Sequence, residues 1–215
     1  MQSQQNKGKF IVLEGIDGSG ISTQILELKR ILESEYDLQT ILTKEPSTGP
    51  VGVIIRQVLS GRLSGLEDSC LALLFAADRV DHNRNVIIPA LQQGKHVICD
   101  RYLWSSLAYQ GRKEDTEWLE EINKYAYKPD LTFFIRVRPE ISLKRITSSR
   151  LSTEIFEELN ILRQVYNNYI KIFKKWQDLG EQVIEIDGEL SPEAVTAEIK
   201  KELQNYFLAE NKKTN

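Results

Sequence analysis

Cysteine is scarce in this chain: Cys70 and Cys99 are the only two in 215 residues. They are too few and too scattered for a disulfide framework or a zinc site, and only His82 and His96 could assist a metal. A reduced, cytoplasmic setting is therefore the default. An excess of positive charge is lacking too. With 28 Lys and Arg against 31 Asp and Glu, the net charge of −3 argues against a general nucleic-acid binder, although local basic clusters could still hold phosphates. No apolar run approaches membrane-spanning length, and the polar stretch from Met1 to Lys9 lacks the apolar core of a signal peptide, so no membrane partner is expected. Internal repeats and low-complexity linkers are absent as well. The expectation is one domain over 1–215 with a sizeable core and flexible ends at 1–8 and 209–215.

What is present begins with a glycine-rich loop. Phe10-Ile11-Val12-Leu13-Glu14 is an apolar run of the kind a buried parallel strand makes, and a segment with apolar residues at helical spacing starts at Ser22. Between them lies Gly15-Ile16-Asp17-Gly18-Ser19-Gly20-Ile21-Ser22-Thr23. In such a loop Gly15, Gly18 and Gly20 let the backbone turn with its N–H groups inward, so that a polyphosphate sits at the positive end of the following helix. Ser22 would offer its hydroxyl to the magnesium that accompanies the nucleotide. The pattern G-x-x-x-x-G-K-[ST] calls for lysine where the chain has Ile21. Glycine-rich turns join strands to helices in many α/β proteins, and Ile21 continues a stripe through Ile25, Leu28 and Leu32. The loop alone leaves both a phosphate cradle and a plain turn open.

The remaining pattern alternates strands with helices. Strands are expected at 38–43, 96–100, 131–137 and 182–186, and helices at 22–34, 51–60, 67–93 with a kink at Pro89, 114–127, 139–149, 154–179 and from Ser191 to about Leu208. The stretch from Arg101 to Arg112 is polar and aromatic beyond what a linker requires. Right-handed crossovers make this an α/β fold, a five-stranded parallel sheet with helices on both faces, whose carboxyl edge is where ligands bind.

Several separate stretches resemble thymidylate kinase. They are Glu14 to Gly20, Lys44-Glu45-Pro46, Leu73 to Arg79, Asp100 to Gly111 and Lys128 to Thr132, in the family's order over almost the whole chain. The resemblance implies the three-layer fold of P-loop nucleoside-monophosphate kinases, ATP and dTMP as ligands, Mg2+ as cofactor, a homodimer through helices near Leu66 to Leu91, and a lid at about 145–157. A kinase for a nucleoside monophosphate must hold two polyanions end to end and neutralise the transferred phosphoryl group, which predicts arginines converging from several elements. Arg79 and Arg101 match positions that contact the acceptor's phosphate, and Arg56 is a third candidate; each read singly fits a solvated helix surface. Phe75, one turn before Arg79, would stack on thymine, or else be core. Ser105, Ser106, Tyr109 and Gln110 would line the acceptor pocket. Asp100 would hold magnesium or its water, or cap the next helix. Asp17 would approach the acceptor's sugar or order the phosphate arginines, and Glu14 is either a second acid or the end of its strand. At the lid, where the family has Asp-Arg-Phe-Glu, the chain has Glu154-Ile155-Phe156-Glu157, which leaves Arg150 as the cation for the transferred phosphate, with Lys144 and Arg145 nearby.

The function so implied is ATP-dependent phosphorylation of dTMP. Two alternatives stand beside it: a nucleotide-binding paralogue with little or no transfer, and a kinase for dUMP, UMP or CMP. Ile21 is read as a natural substitution offset by Arg150, Lys144 or another lysine, as an engineered change, or as the mark of a degenerate paralogue.

Overall fold

The computed structural model describes residues 7–146 and 152–214. Five parallel strands, β1 (Phe10–Glu14), β2 (Thr40–Lys44), β3 (His96–Asp100), β4 (Leu131–Arg136) and β5 (Val183–Asp187), lie in the order β2-β3-β1-β4-β5. The connecting helices are α1 (Ile21–Glu35), α2 (Pro50–Leu59), α3 (Asp68–His82), α4 (Ile88–Gln92), α5 (Leu103–Gln110), α6 (Thr116–Ile122), α7 (Pro139–Ile146), α8 (Ser152–Asp178) and α9 (Pro192–Thr214). This is the expected three-layer α/β architecture.

Strand alternation divides the core in two. Phe10, Val12, Val97, Cys99 and Phe134 face one layer, where they meet Ala72, Leu91, Leu107, Val165, Tyr169 and Phe173. Ile11, Leu13, Ile98, Phe133 and Ile135 face the other, with Ile21, Ile25 and Leu28 of α1 and Val195, Ile199 and Leu203 of α9. Because both faces are covered, the central strands read as unbroken apolar runs.

The chain winds outward from β1 through α1 to β2, returns to β3, and then crosses to β4 on the far side of β1. The loop after β1 therefore opens at the switch point of the sheet, where such folds leave a crevice. Leu13 stands in register with Asp100, and Asp100 with Lys44, so the ends of three neighbouring strands share one edge.

Several elements differ from the sequence expectation. The second strand shifts: β2 starts at Thr40, because the turn through Asp37 (φ 54°) returns the Leu38 N–H to the Leu32 carbonyl, 3.0 Å away. The long helix is broken by a π-helical turn over Asn83–Ile87 just before Pro89, whose ring has no N–H for the ladder. Asp115 caps α6 by accepting from the Trp118 N–H at 2.8 Å, and the helix ends at Ile122, leaving Tyr125 76% exposed rather than beside Trp118. The stretch Leu103–Gln110 forms a helix that the pattern does not announce. At the ends, Gly8 is buried and donates to the Leu91 carbonyl at 3.0 Å, while α9 runs to Thr214, beyond the expected fraying at Ala209. No helix among the described residues is long and apolar enough to cross a membrane.

Candidate active site

The glycine loop folds as a cradle at the amino end of α1. Gly18 (φ 76°) and Gly20 (φ 93°) lie in the left-handed region that a side chain disfavours. Gly15 is needed for a different reason: a Cβ there would sit 2.6 Å from Ser19 Oγ and 2.8 Å from the Ile135 carbonyl oxygen. Helix α1 starts without a side-chain cap and without an acid in its first turn, so its leading N–H groups and positive end are not neutralised locally. Ser19 Oγ is buried without a hydrogen-bond partner among the described residues.

A cleft of about 360 Å3 opens over this loop, lined by Ile16, Asp17, Gly18, Ser19, Gly20, Ile21, Ser22, Thr23, Asp100 and Arg101. Gly15 is not among its lining residues. Ile21 contributes to the rim but is 5% exposed, and its side chain packs in the α1 core with Ile25 and Leu28. Ser22 and Thr23 are exposed. From the other side α7 braces the loop: Ser142 Oγ donates to the Asp17 carbonyl, and Arg145 Nη1 lies 3.5 Å from the Gly18 carbonyl.

A second cleft, of about 370 Å3, extends from the ends of β2 and β3 toward α3 and α5. Phe75, Arg79, Ser105, Ser106, Tyr109 and Gln110 line it together with Lys44, Glu45, Pro46, Leu59 and Tyr102. Asp17, Asp100 and Arg101 belong to both clefts and form their common wall. Phe75 is half-buried with its cavity against it, whereas Gln110 Oε1 is buried and unpartnered among the described residues.

The two arginines of this cleft differ in setting. Arg79 is 1% exposed, which overturns the alternative of a solvated helix surface. Its guanidinium pairs with Glu45 at 2.6 Å, donates to Ser106 Oγ at 2.9 Å and to Asn123 Oδ1, and leaves Nε unpartnered. Glu45 also meets His82 Nδ1 at 3.2 Å, while His82 Nε2 lies 2.6 Å from Thr43 Oγ1, so a buried polar network ties this end of the cleft together. Arg101 instead turns toward the common wall. It adopts φ 63°, donates to Asp17 at 2.7 Å, to Tyr109 Oη at 3.2 Å and to Ser105 Oγ at 3.4 Å. Burial opposes its charge, but Tyr109, Tyr169, Asp17 and Glu14 outweigh that and raise its pKa. Burial pushes the Asp100 carboxyl upward, with Arg101 and Lys44 pulling it back. Tyr109 is pushed up to about 12, chiefly by burial.

Other expected site residues are placed differently. Arg56 lines neither cleft; its Nη1 donates to the carbonyls of Pro46 (3.2 Å) and Ser47, underneath the loop after β2. Ser105 Oγ is engaged by Glu14 at 2.6 Å and Tyr169 at 2.7 Å, and Ser106 Oγ by Arg79, so both serines build the wall before they can offer anything to a ligand. Arg150 and the centre of the expected lid lie outside the described residues. Sequence reasoning missed the supporting roles of Asn123, Tyr169 and Glu14. Glu45 had a signal, its place in the Lys44-Glu45-Pro46 loop at the sheet's ligand edge.

Among the described residues there is no group of three or more His, Cys, Asp or Glu suited to a metal. Magnesium commonly takes one or two protein oxygens and the remainder from phosphates and water, and Ser22 and Asp100 on the walls of one cleft fit that demand.

Comparison with known proteins identifies the family. The sequence model of the family described as Thymidylate kinase matches residues 13–199. A protein of Caldicellulosiruptor saccharolyticus named "Thymidylate kinase" is 38% identical over 210 residues, covering 94% of this chain and 98% of the relative. One of Thermococcus kodakarensis named "Probable thymidylate kinase" is 42% identical over 178 residues, covering 79% and 86%. On the family match over most of its length, with two clefts meeting at a glycine loop, the chain belongs to the thymidylate kinase family.

Proposed function

We propose that this chain is a single kinase domain that transfers the γ-phosphoryl group of ATP to dTMP. The observation that carries the reading is the common wall: among the described residues, one cleft over a helix amino end and one over Phe75 share only Asp17, Asp100 and Arg101. Two phosphorylated ligands lying in those clefts would meet there end to end. Names of relatives from both bacterial and archaeal sources support dTMP as the acceptor.

The roles follow from the geometry. Backbone N–H groups from Gly15 to Thr23 hold the donor phosphates at the start of α1. Phe75 stacks on the acceptor base, with Arg79 and Gln110 lining the cleft beside it. This shifts Arg79 away from the phosphate role the resemblance implies, because it lines the acceptor cleft alone and is already committed to Glu45. Arg101, on the common wall, takes the acceptor phosphate, with Asp17 orienting it. Arg56 acts by bracing the loop after β2. Ser22 and Asp100 would hold a magnesium ion beside the donor phosphates, where it would supply neutralising charge to the phosphoryl group. The acceptor nucleophile is a phosphate oxygen, so no dedicated base is required. Arg150 is the lid residue proposed to reach the transferred phosphate.

One observation favours the binding-only alternative. Ile21 stands where the phosphate-loop pattern has lysine, and its side chain is spent on the α1 core. The test is a coupled ADP-release assay with ATP and dTMP, run in parallel with dUMP, UMP and CMP. ADP release is expected with dTMP in preference to dUMP, since a methyl group is worth about 1–3 kcal/mol of selection. Binding of both nucleotides without ADP release would leave the binding-only reading; better use of another monophosphate would change the acceptor.

The chain is also proposed to form a homodimer through α3. Leu73 and Val80 stand seven residues apart on its outer side, 50% and 46% exposed, and Leu66, 37% exposed, lies just before the helix starts.

A further inference from the structure

Glu14 lines neither cleft, yet three residues from the start of α5 and from α8 converge on its carboxylate. It ends β1 and is completely buried. Oε1 accepts from the backbone N–H of Tyr102 at 2.8 Å and of Ser105 at 3.2 Å. Oε2 accepts from Ser105 Oγ at 2.6 Å and from Tyr169 Oη, on α8, at 2.9 Å. The two backbone donors open α5, whose N-cap residue Tyr102 supplies no side-chain cap. A carboxylate on the neighbouring strand thus does the capping, in the place where the helix dipole favours negative charge.

Arg101 lies immediately before that capped turn, in a left-handed conformation that a non-glycine residue keeps only when its surroundings impose it. The backbone on one side is held by the Arg101 N–H, which donates to the Leu13 carbonyl at 3.0 Å, and on the other by Glu14 through Tyr102. The side chain is reached from the same carboxylate through a single atom: Ser105 Oγ is 2.6 Å from Glu14 Oε2 and 3.4 Å from Arg101 Nη1. We propose that Glu14 is a positioning residue, which fixes the left-handed turn at Arg101 and the direction of its guanidinium, and so sets the wall between the clefts from behind. Tyr169 makes α8 part of the same device.

Oε1 must accept, because both of its partners are backbone N–H groups that can only donate, whereas the two hydroxyls on Oε2 can donate or accept. Glutamine keeps the shape but offers one oxygen and an amide that donates, and it also removes the charge at the start of α5. The inference rests on the reading that Arg101 meets the acceptor phosphate, and its test is a double-mutant cycle read by calorimetric binding of dTMP to the full chain. Glu14→Gln is expected to weaken dTMP binding about tenfold in the otherwise unaltered chain, and by less than about twofold when Arg101→Ala is already present. Its effect on the melting temperature should be the same in both backgrounds, which separates positioning from folding. Equal weakening of dTMP in both backgrounds, or none in the unaltered chain, overturns the inference. Should Glu14→Gln fail to fold, Tyr169→Phe keeps the carboxylate and removes one donor; its expected weakening of about threefold must likewise vanish beside Arg101→Ala. Failure of the unaltered chain to bind dTMP would instead remove the functional reading, and this inference with it.

Discussion

Position 21 shows how one side chain can belong to two surroundings. Ile21 opens α1, with its backbone at the donor cleft and its side chain among Ile25, Leu28 and the sheet. A lysine there would have to withdraw its head group toward the phosphates and leave only part of its stem in the core. Ile21→Lys is therefore expected to act in opposite directions. It should lower stability by about 1–3 kcal/mol, from lost apolar burial, and raise kcat with dTMP by about tenfold or more, from added charge on the transferred group. A thermal melt and the ADP-release assay on the same preparation check both. An unchanged rate would mean that the charge is supplied elsewhere, as Arg150 would do.

Among the elements, the loop between β2 and α2 is the most tightly specified by a neighbour. Gly52 in α2 is buried against it: a Cβ would lie 2.1 Å from the Ser47 carbonyl oxygen. Ser47 is also held by Asp78, through its N–H at 2.7 Å and its hydroxyl at 2.6 Å. Gly52→Ala must therefore push the loop away from α2, at a cost of about 1–3 kcal/mol for overpacking. Because Glu45 and Pro46 of that loop line the acceptor cleft, KM for dTMP should rise while KM for ATP stays near its original value. Steady-state kinetics with each nucleotide varied in turn decides the point.

The same scale explains what could be read from the chain beforehand. β1 and β4 were legible because both their faces are buried, which yields apolar runs bounded by loop residues. The glycine loop was legible from its spacing, and the acceptor stretch from its resemblance. Helix α5 was not legible as a helix: Leu103, Trp104, Leu107 and Ala108 face the core while Ser105, Tyr109 and Gln110 face the cleft, so it lacks the solvent-facing polar side that marks an amphipathic helix. Tyr169 sits in the buried stripe of α8 and reads as packing; only the approach of β1 and α5 reveals its hydroxyl as a donor to Glu14. Asn123 lies just past the end of α6, where no local pattern announces a partner for Arg79 more than forty residues away.

For the molecule as a whole, the exposed apolar ridge formed by α3 and by Leu66 just before it leads to an expectation about assembly. Leu73→Glu places a charge in the middle of Leu66, Leu73 and Val80 and should convert a dimer to a monomer by sedimentation equilibrium. Phe75 and Arg79 lie on the same helix, so the monomeric form is also expected to bind dTMP more weakly. A chain that sediments as a monomer before any substitution would rule the ridge out as an interface.

The parallel pairing of β1 with β3 has a consequence beyond stability. The loop bearing Asp17 leaves β1 one residue past Glu14, the turn bearing Asp100 and Arg101 leaves β3, and Leu13 opposite Asp100 sets the offset between them. Slippage by one residue would carry the carboxylates and the guanidinium apart by about 3.3 Å, the rise of a strand, before any side chain had changed. On the proposed reading, the alignment of two hydrogen-bonded strands is thus also the alignment of the reacting phosphates, and a substitution that loosens the first is expected to misplace the second.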